Sequence, residues 1–229
     1  MNKIGKKKIG LALAVFLIIL AGGLVWQFIL KDKFKGKEYF LPVELTADKR
    51  QELAERIKKD FEMLKLFPKD YNVYLDLGNL EQQLGNASQA INYFKKAWET
   101  IPTNSTPWLN IGNIYIALGL YDQAEEAFLK AKNVNNQYYL VYYNLAKLYQ
   151  SYFPDKASQI RTIYLEGLKN TNNDYQLLQP FTDYLLEEKN YTEAAEYLKV
   201  LAEQIPSENK QEVLDKIEEV KGLIGSPGI

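Results

Sequence analysis

Tyr71 to Pro102 reads YNVYLDLGNLEQQLGNASQAINYFKKAWETIP, and Ser105 to Asn136 reads STPWLNIGNIYIALGLYDQAEEAFLKAKNVNN. Offset by 34 residues, the two stretches share a pattern. Tyr74, Leu77, Gly78, Gly85, Ala90, Phe94 and Ala97 recur as Trp108, Ile111, Gly112, Gly119, Ala124, Phe128 and Ala131. Internal self-similarity at such a period is the signature of a repeat array, in which each unit buries its apolar face only by stacking on its neighbours. A third copy begins at Tyr139, where Tyr142, Leu145, Ala146 and Tyr149 keep the register. Tyr152 to Lys156 then inserts two residues, and Ile160, Tyr164 and Gly167 resume the pattern. A fourth copy begins near Tyr175; Tyr191, Ala194, Leu198, Leu201 and Pro206 fit, but Phe181-Thr182 replaces the Leu-Gly pair. Pro180 should kink that helix or mark its true start.

These residues resemble the tetratricopeptide repeat, a helix–turn–helix of 34 residues. The resemblance covers roughly residues 71–206. It implies an all-α solenoid of three to four repeats whose helix pairs stack into a right-handed superhelix with a concave face. Gly78, Ala90, Gly112 and Ala124 would let the two helices of a repeat approach closely. Tyr74, Phe94, Trp108, Tyr115 and Phe128 would fill the space between them. Glu81 departs from the pattern, which has Tyr there, and Asn136 stands where the second copy would carry Pro. The expected repeats are 71–104, 105–138, 139–174 with its insertion, and 175–208 with a degenerate first helix. A leading helix within 46–70, a worn preceding repeat, carries Leu53, Ala54, Ile57, Phe61 and Leu64 at helical spacing. The last segment, 209–229, reads as a capping helix with a frayed end, its apolar face formed by Val213, Leu214, Ile217 and Val220.

Ahead of the repeats, Ile9 to Leu30 is free of charge for 22 residues. As a helix it would span about 33 Å, enough for a hydrocarbon core of about 30 Å. Lysines flank it on both sides, with Trp26 near one end as an interfacial anchor. A cleaved signal peptide is the rival reading, but its apolar region is usually shorter, about 7–15 residues. The expectation is a basic flank at 1–8, a single-pass transmembrane helix at 9–30 and a juxtamembrane linker at 31–45. Four lysines on each side leave the orientation rule tied. The tight N-side cluster and the α-amino group point to an extracytoplasmic repeat domain, with the cytoplasmic face as the alternative.

Composition bounds the chemistry. The chain has 229 residues with neither His nor Cys, which excludes disulfides, lipoprotein attachment, His or Cys zinc sites and Ser-His-Asp or Cys-His catalysis. The net charge of −1 divides unevenly: residues 1–40 carry eight lysines against Asp32 and Glu38, and the remainder carries 20 basic and 27 acidic side chains. An acidic repeat region does not suit nucleic acid. No catalytic constellation is visible, and no metal or cofactor is expected. The expected partner is a protein or peptide, with the membrane engaged through the N-terminal helix.

In the family, first helices line the concave surface, which here implies Asn72, Asn79, Gln82, Asn110, Asn113, Tyr143, Asn144 and Lys147 as partner-contacting residues. Amides both donate and accept hydrogen bonds, as an extended backbone does, and Tyr143 would add rigid apolar area. Plain solvation of a polar surface explains the amides equally well. The family's two-carboxylate clamp for acidic chaperone tails falls on Leu75, Asn79, Asn110, Leu140 and Asn144. Without cations it would lose its charge-assisted bonds. The resemblance thus implies a membrane-anchored interaction scaffold, with assembly factors for secretion, cell envelope or surface appendages among the candidates. An oligomerising spacer with Ile217 at its interface, and an enzyme subunit, are the alternatives.

Overall fold

Four side chains mark where helices begin. Thr46 Oγ1 accepts the Lys49 N–H at 3.2 Å, and Asp70 Oδ1 accepts those of Asn72 at 2.8 Å and Val73 at 3.1 Å. Asp174 Oδ1 accepts the Gln176 N–H at 2.8 Å, and Asn190 Oδ1 that of Glu193 at 3.4 Å. Each oxygen satisfies an N–H that the first helical turn leaves without an intrahelical acceptor. The structure, a computed structural model, describes residues 38–224. The apolar segment 9–30, its basic flank, linker residues 31–37 and the chain end 225–229 lie outside the described residues. Among the described residues no helix is long and apolar enough to cross a membrane.

Ten α-helices follow one another among the described residues, without a strand. They are α1 (Ala47–Leu66), α2 (Tyr71–Gln83), α3 (Ala87–Thr100), α4 (Thr106–Ala117), α5 (Tyr121–Val134), α6 (Tyr139–Tyr152), α7 (Ala157–Asn170), α8 (Tyr175–Glu187), α9 (Tyr191–Gln204) and α10 (Lys210–Ile224). Each packs on the next, and α6 also touches α4 and α8, so the first helices of the second, third and fourth pairs lie side by side. This is an all-helical solenoid of tetratricopeptide type.

The small–large exchange between paired helices follows from sterics. An added Cβ on Gly78 would lie 2.5 Å from the Phe94 ring, and Gly112 faces Phe128 in the same way. Both rings are fully buried, and each burial is worth about 2 kcal/mol. In the third pair the partners are exchanged: Gly167 on α7 faces Tyr142 on α6, at 2.6 Å from a built Cβ. Tyr164 is buried against Phe181, with ring centroids 5.2 Å apart.

The turns within the pairs differ more. Gly85 and Gly119 close the first two with φ of +86° and +70°. Extended residues before α1 run onto the first turn, where the Leu41 N–H donates to Gly85 O at 2.7 Å. The third turn instead holds the inserted residues as a 3-10 turn, Pro154–Lys156. Lys156 Nζ pairs with both Glu125 oxygens at 2.6 Å and sits 4.3 Å from the Phe153 ring centre. Tyr152 stacks on Tyr121 at 3.9 Å. In the fourth, Lys189 occupies the glycine position with φ of 58°.

Three expectations change. The helix containing Pro180 starts at Tyr175, under its Asp174 cap, so the proline marks no start and is carried inside α8. Leu214 is 40% exposed, because only Val213, Ile217 and Val220 turn towards α9. On α1, Leu53 is fully buried but Ala54 and Phe61 are exposed, since α1 packs on α2 without a preceding partner of its own among the described residues.

Candidate functional site

The first helix of each pair turns one stripe to the core and leaves another uncovered. On α2, Val73, Leu77 and Leu80 are buried, while Asn72, Asp76, Asn79 and Gln82 occupy the adjacent stripe at 3–4 residue spacing. The same stripe carries Asn110 and Asn113 on α4, and Tyr143, Asn144 and Lys147 on α6. Asn72, Asn113 and Lys147 are exposed, whereas Asn79, Gln82, Asn110, Tyr143 and Asn144 are half-buried. The fold therefore sets the eight residues on corresponding stripes of three successive first helices, of which α4 and α6 touch. It does not gather them into one contact cluster. Asn79 and Asn113 hold equivalent places in the first two pairs, and Asn110 and Asn144 in the second and third.

The side-chain amides of Asn72, Asn79, Gln82, Asn110, Asn113 and Asn144 form no hydrogen bond with another described residue. A half-buried amide with open donors and acceptors must be met by solvent or by a ligand. Other polar groups of the stripe are already engaged. Arg56 of α1 reaches both Asp76 oxygens at 3.1 Å. Beside them, burial and the Asp76 charge push the Asp60 carboxyl above the usual carboxylate range. Gln150 of α6 donates to Glu187 of α8, joining two successive first helices.

At the far end, Asp183 of α8 faces Lys147 and Lys216. Burial and the neighbouring Glu187 push its carboxyl up, while the two lysines hold it down. Asp183 escapes the sequence reading because the degenerate Phe181-Thr182 pair blurs the register of the fourth first helix, and Lys216 because it lies on α10, a different element. Counting from Tyr175 as from Tyr139 places Asp183 at the position of Lys147.

A tyrosine cluster borders the stripe where first helices begin. Tyr138 and Tyr139 meet edge to face, with centroids 5.7 Å apart. Tyr143 lies one turn further along α6, and Tyr175 opens α8. The hydroxyls of these four tyrosines bond to no other described residue. Burial, then the neighbouring Tyr138, Asp174, Tyr175 and Tyr143, push the Tyr139 phenol up. On another face, a depression of about 250 Å³ opens between α5, α6 and α7, floored by Leu145 and Tyr149 and crossed by the Lys132–Glu166 pair at 3.1 Å.

A model of the tetratricopeptide repeat matches residues 82–149, from the last turn of α2 into α6. No curated protein sequence matches the chain. Among solved structures, a thermophilic tetratricopeptide-repeat protein of Thermus thermophilus superposes with a TM-score of 0.52 at 16% identity, over 72% of this chain and 88% of that one. PilF of Pseudomonas aeruginosa superposes with a TM-score of 0.50 at 16% identity, over 77% and 95%. At such identity the likeness shows the fold alone.

Proposed function

We propose that the chain is a membrane-anchored scaffold whose first-helix face holds an extended segment of a partner protein. Tetratricopeptide repeats are in general protein-interaction modules. The observation that carries the reading is the row of unpaired, half-buried amides repeated across α2, α4 and α6. They offer donors and acceptors to a backbone and make no side-chain hydrogen bond to another described residue. Anchoring rests on the uncharged run 9–30 and its flanking lysines. We place the repeat domain on the extracytoplasmic side, with the reverse orientation as the alternative.

Photo-crosslinking in native membranes tests the binding face. A crosslinker at Asn110 should capture the same partner as one at Asn144, and Asn79→Arg should abolish both products. Capture only from Gln159, on α7, would refute the reading. Protease accessibility of the repeats in intact cells decides orientation, and carbonate extraction tests the anchor.

The spacer reading draws on a different observation. Leu66 and Phe67, at the end of α1, are 71% and 55% exposed. Self-association through them would disappear in Leu66→Asp, read by light scattering. Ile217 is 5% exposed and belongs to the core, so its substitution tests folding and not association.

A further inference from the structure

We propose that the segment bound here is an uncharged, proline-rich chain in the polyproline II conformation. Its prolines would lie on Tyr138, Tyr139, Tyr143 and Tyr175, and its carbonyls on the amides of Asn79, Asn110, Asn113 and Asn144. The inference rests on the reading of this face as a partner-binding surface and adds the chemistry of the partner.

Periodicity is the first argument. Equivalent side chains in neighbouring pairs recur once per first helix, and α4 packs on α6 as α6 packs on α8. Packed helices stand about 8–10 Å apart. A polyproline II chain advances about 9 Å in three residues and completes one turn in doing so, so residues i, i+3 and i+6 share a face. A β-strand covers a similar distance in three residues, but its side chains alternate with a period of two and the third points away. Equivalent contacts at every step therefore select the threefold helix.

Hydrogen bonding is the second. The polyproline II backbone has no internal hydrogen bonds, so its carbonyls are free to accept. Proline has no N–H to satisfy. The face supplies amide donors and tyrosine hydroxyls that bond to nothing else among the described residues. Its phenols also provide flat apolar area with few rotatable bonds. A phenol, with an ordinary value of about 10, is protonated and able to donate at neutral pH.

Charge is the third. Arg56 is taken up by Asp76, Lys216 pairs with Glu219 at 3.4 Å, and the Lys147 charge acts on Asp183 without an ion pair between them. The amides of Asn79, Asn110, Asn113 and Asn144 are themselves uncharged, so the row offers a charged ligand no complementary ion of its own.

The test is a fluorescence-anisotropy titration of the full chain in detergent with three labelled, end-capped decapeptides: decaproline, a glycine-serine peptide and a glutamate-rich peptide. Decaproline should bind at least about tenfold tighter than either control. Tyr139→Ala and Tyr175→Ala should each weaken it about tenfold, as loss of an aromatic anchor does. Tyr139→Phe should weaken it less, and Tyr121→Ala, outside the face, should leave it unchanged. Circular dichroism of each variant confirms the fold. Decaproline binding no better than the glycine-serine peptide would overturn the inference, as would equal binding by Tyr139→Ala and Tyr175→Ala. If Asn110 still crosslinks to a partner while decaproline fails, only the proline-rich assignment falls; if neither occurs, the binding face itself is wrong.

Discussion

The first two helix pairs and the last two reach the same architecture with different side chains. In α2–α5 the close approach is glycine against phenylalanine: Gly78 under Phe94 and Gly112 under Phe128. In the third pair the phenylalanine position holds Tyr164 and the equivalent small position Ala146; in the fourth they hold Leu198 and Thr182. The fully buried Tyr164 replaces a ring that cannot ionise with one that can, and it stands beside the fully buried Tyr142 of the same pair. A repeat fold thus constrains volume and approach more tightly than it constrains chemistry. The first half should be the more sensitive to added bulk, and the second to pH.

Added bulk gives the largest expected effect. Gly78→Ala places a Cβ 2.5 Å from the Phe94 ring, in a helix where alanine is otherwise favoured by about 1 kcal/mol. The overlap should dominate and destabilise by about 2–3 kcal/mol in chemical denaturation. Ala146→Gly, in the equivalent register of the third pair, should cost only about 1 kcal/mol, the loss of helix propensity. Equal effects would dissolve the distinction.

Alkali should separate the halves next. Burial pushes the phenols of Tyr142, Tyr149 and Tyr164 up, and a hydrogen bond to Glu125 and its charge raise Tyr149 further. A phenol raised in the folded state contributes stability that is complete below its unfolded value, about 10, and is lost as pH rises towards the folded value. Hydrogen exchange between pH 8 and pH 11 should therefore show α6–α8 opening before α2–α5. Tyr164→Phe should reduce that difference, and an unchanged profile would show that the second half's tyrosines do not set it.

Much of this was legible in the sequence because a solenoid repeats its own evidence. The match of Tyr74, Gly78 and Phe94 to Trp108, Gly112 and Phe128 identifies both helix pairs at once. The third pair was legible up to its insertion. The amide stripe followed from counting positions in a known pattern, and the structure places those residues on corresponding stripes. The fate of Pro180 was not legible, since a helix accepts an internal proline when its cap, Asp174, and buried residues on both sides of the proline, Leu177 and Phe181, hold the first two turns. Nor were Asp183 and Lys216 visible as neighbours, because they belong to different elements and α10 carries no pair pattern. The contact of Leu41 with Gly85 was also hidden: a single backbone bond leaves no trace in residue type.

That contact separates two otherwise equivalent turns and predicts a smaller effect. Gly85 and Gly119 both have positive φ, where a side chain costs about 1 kcal/mol. A Cβ at Gly85 would also lie 2.8 Å from Leu41 O, whereas nothing lies within 4 Å of one at Gly119. Gly119→Ala should lose about 1 kcal/mol and Gly85→Ala about 2 kcal/mol. Only Gly85→Ala should accelerate amide exchange at Leu41. Equal losses with unchanged exchange would show that the extended segment is not held there.

The fourth pair offers the smallest and most discriminating change. Lys189 adopts φ of 58° at the position that Gly85 and Gly119 fill in the first two pairs. A lysine there carries the left-handed penalty, yet glycine would add backbone freedom to the unfolded chain, and the two effects partly cancel. Lys189→Gly should therefore stabilise by about 0.5 kcal/mol, read as a higher denaturation midpoint with an unchanged slope. An equal loss of stability would mean that the lysine side chain contributes more to the α8–α9 turn than its backbone strain costs. The fourth pair would then have replaced the glycine device of the first two with one of its own, as the third has with Lys156 and Glu125.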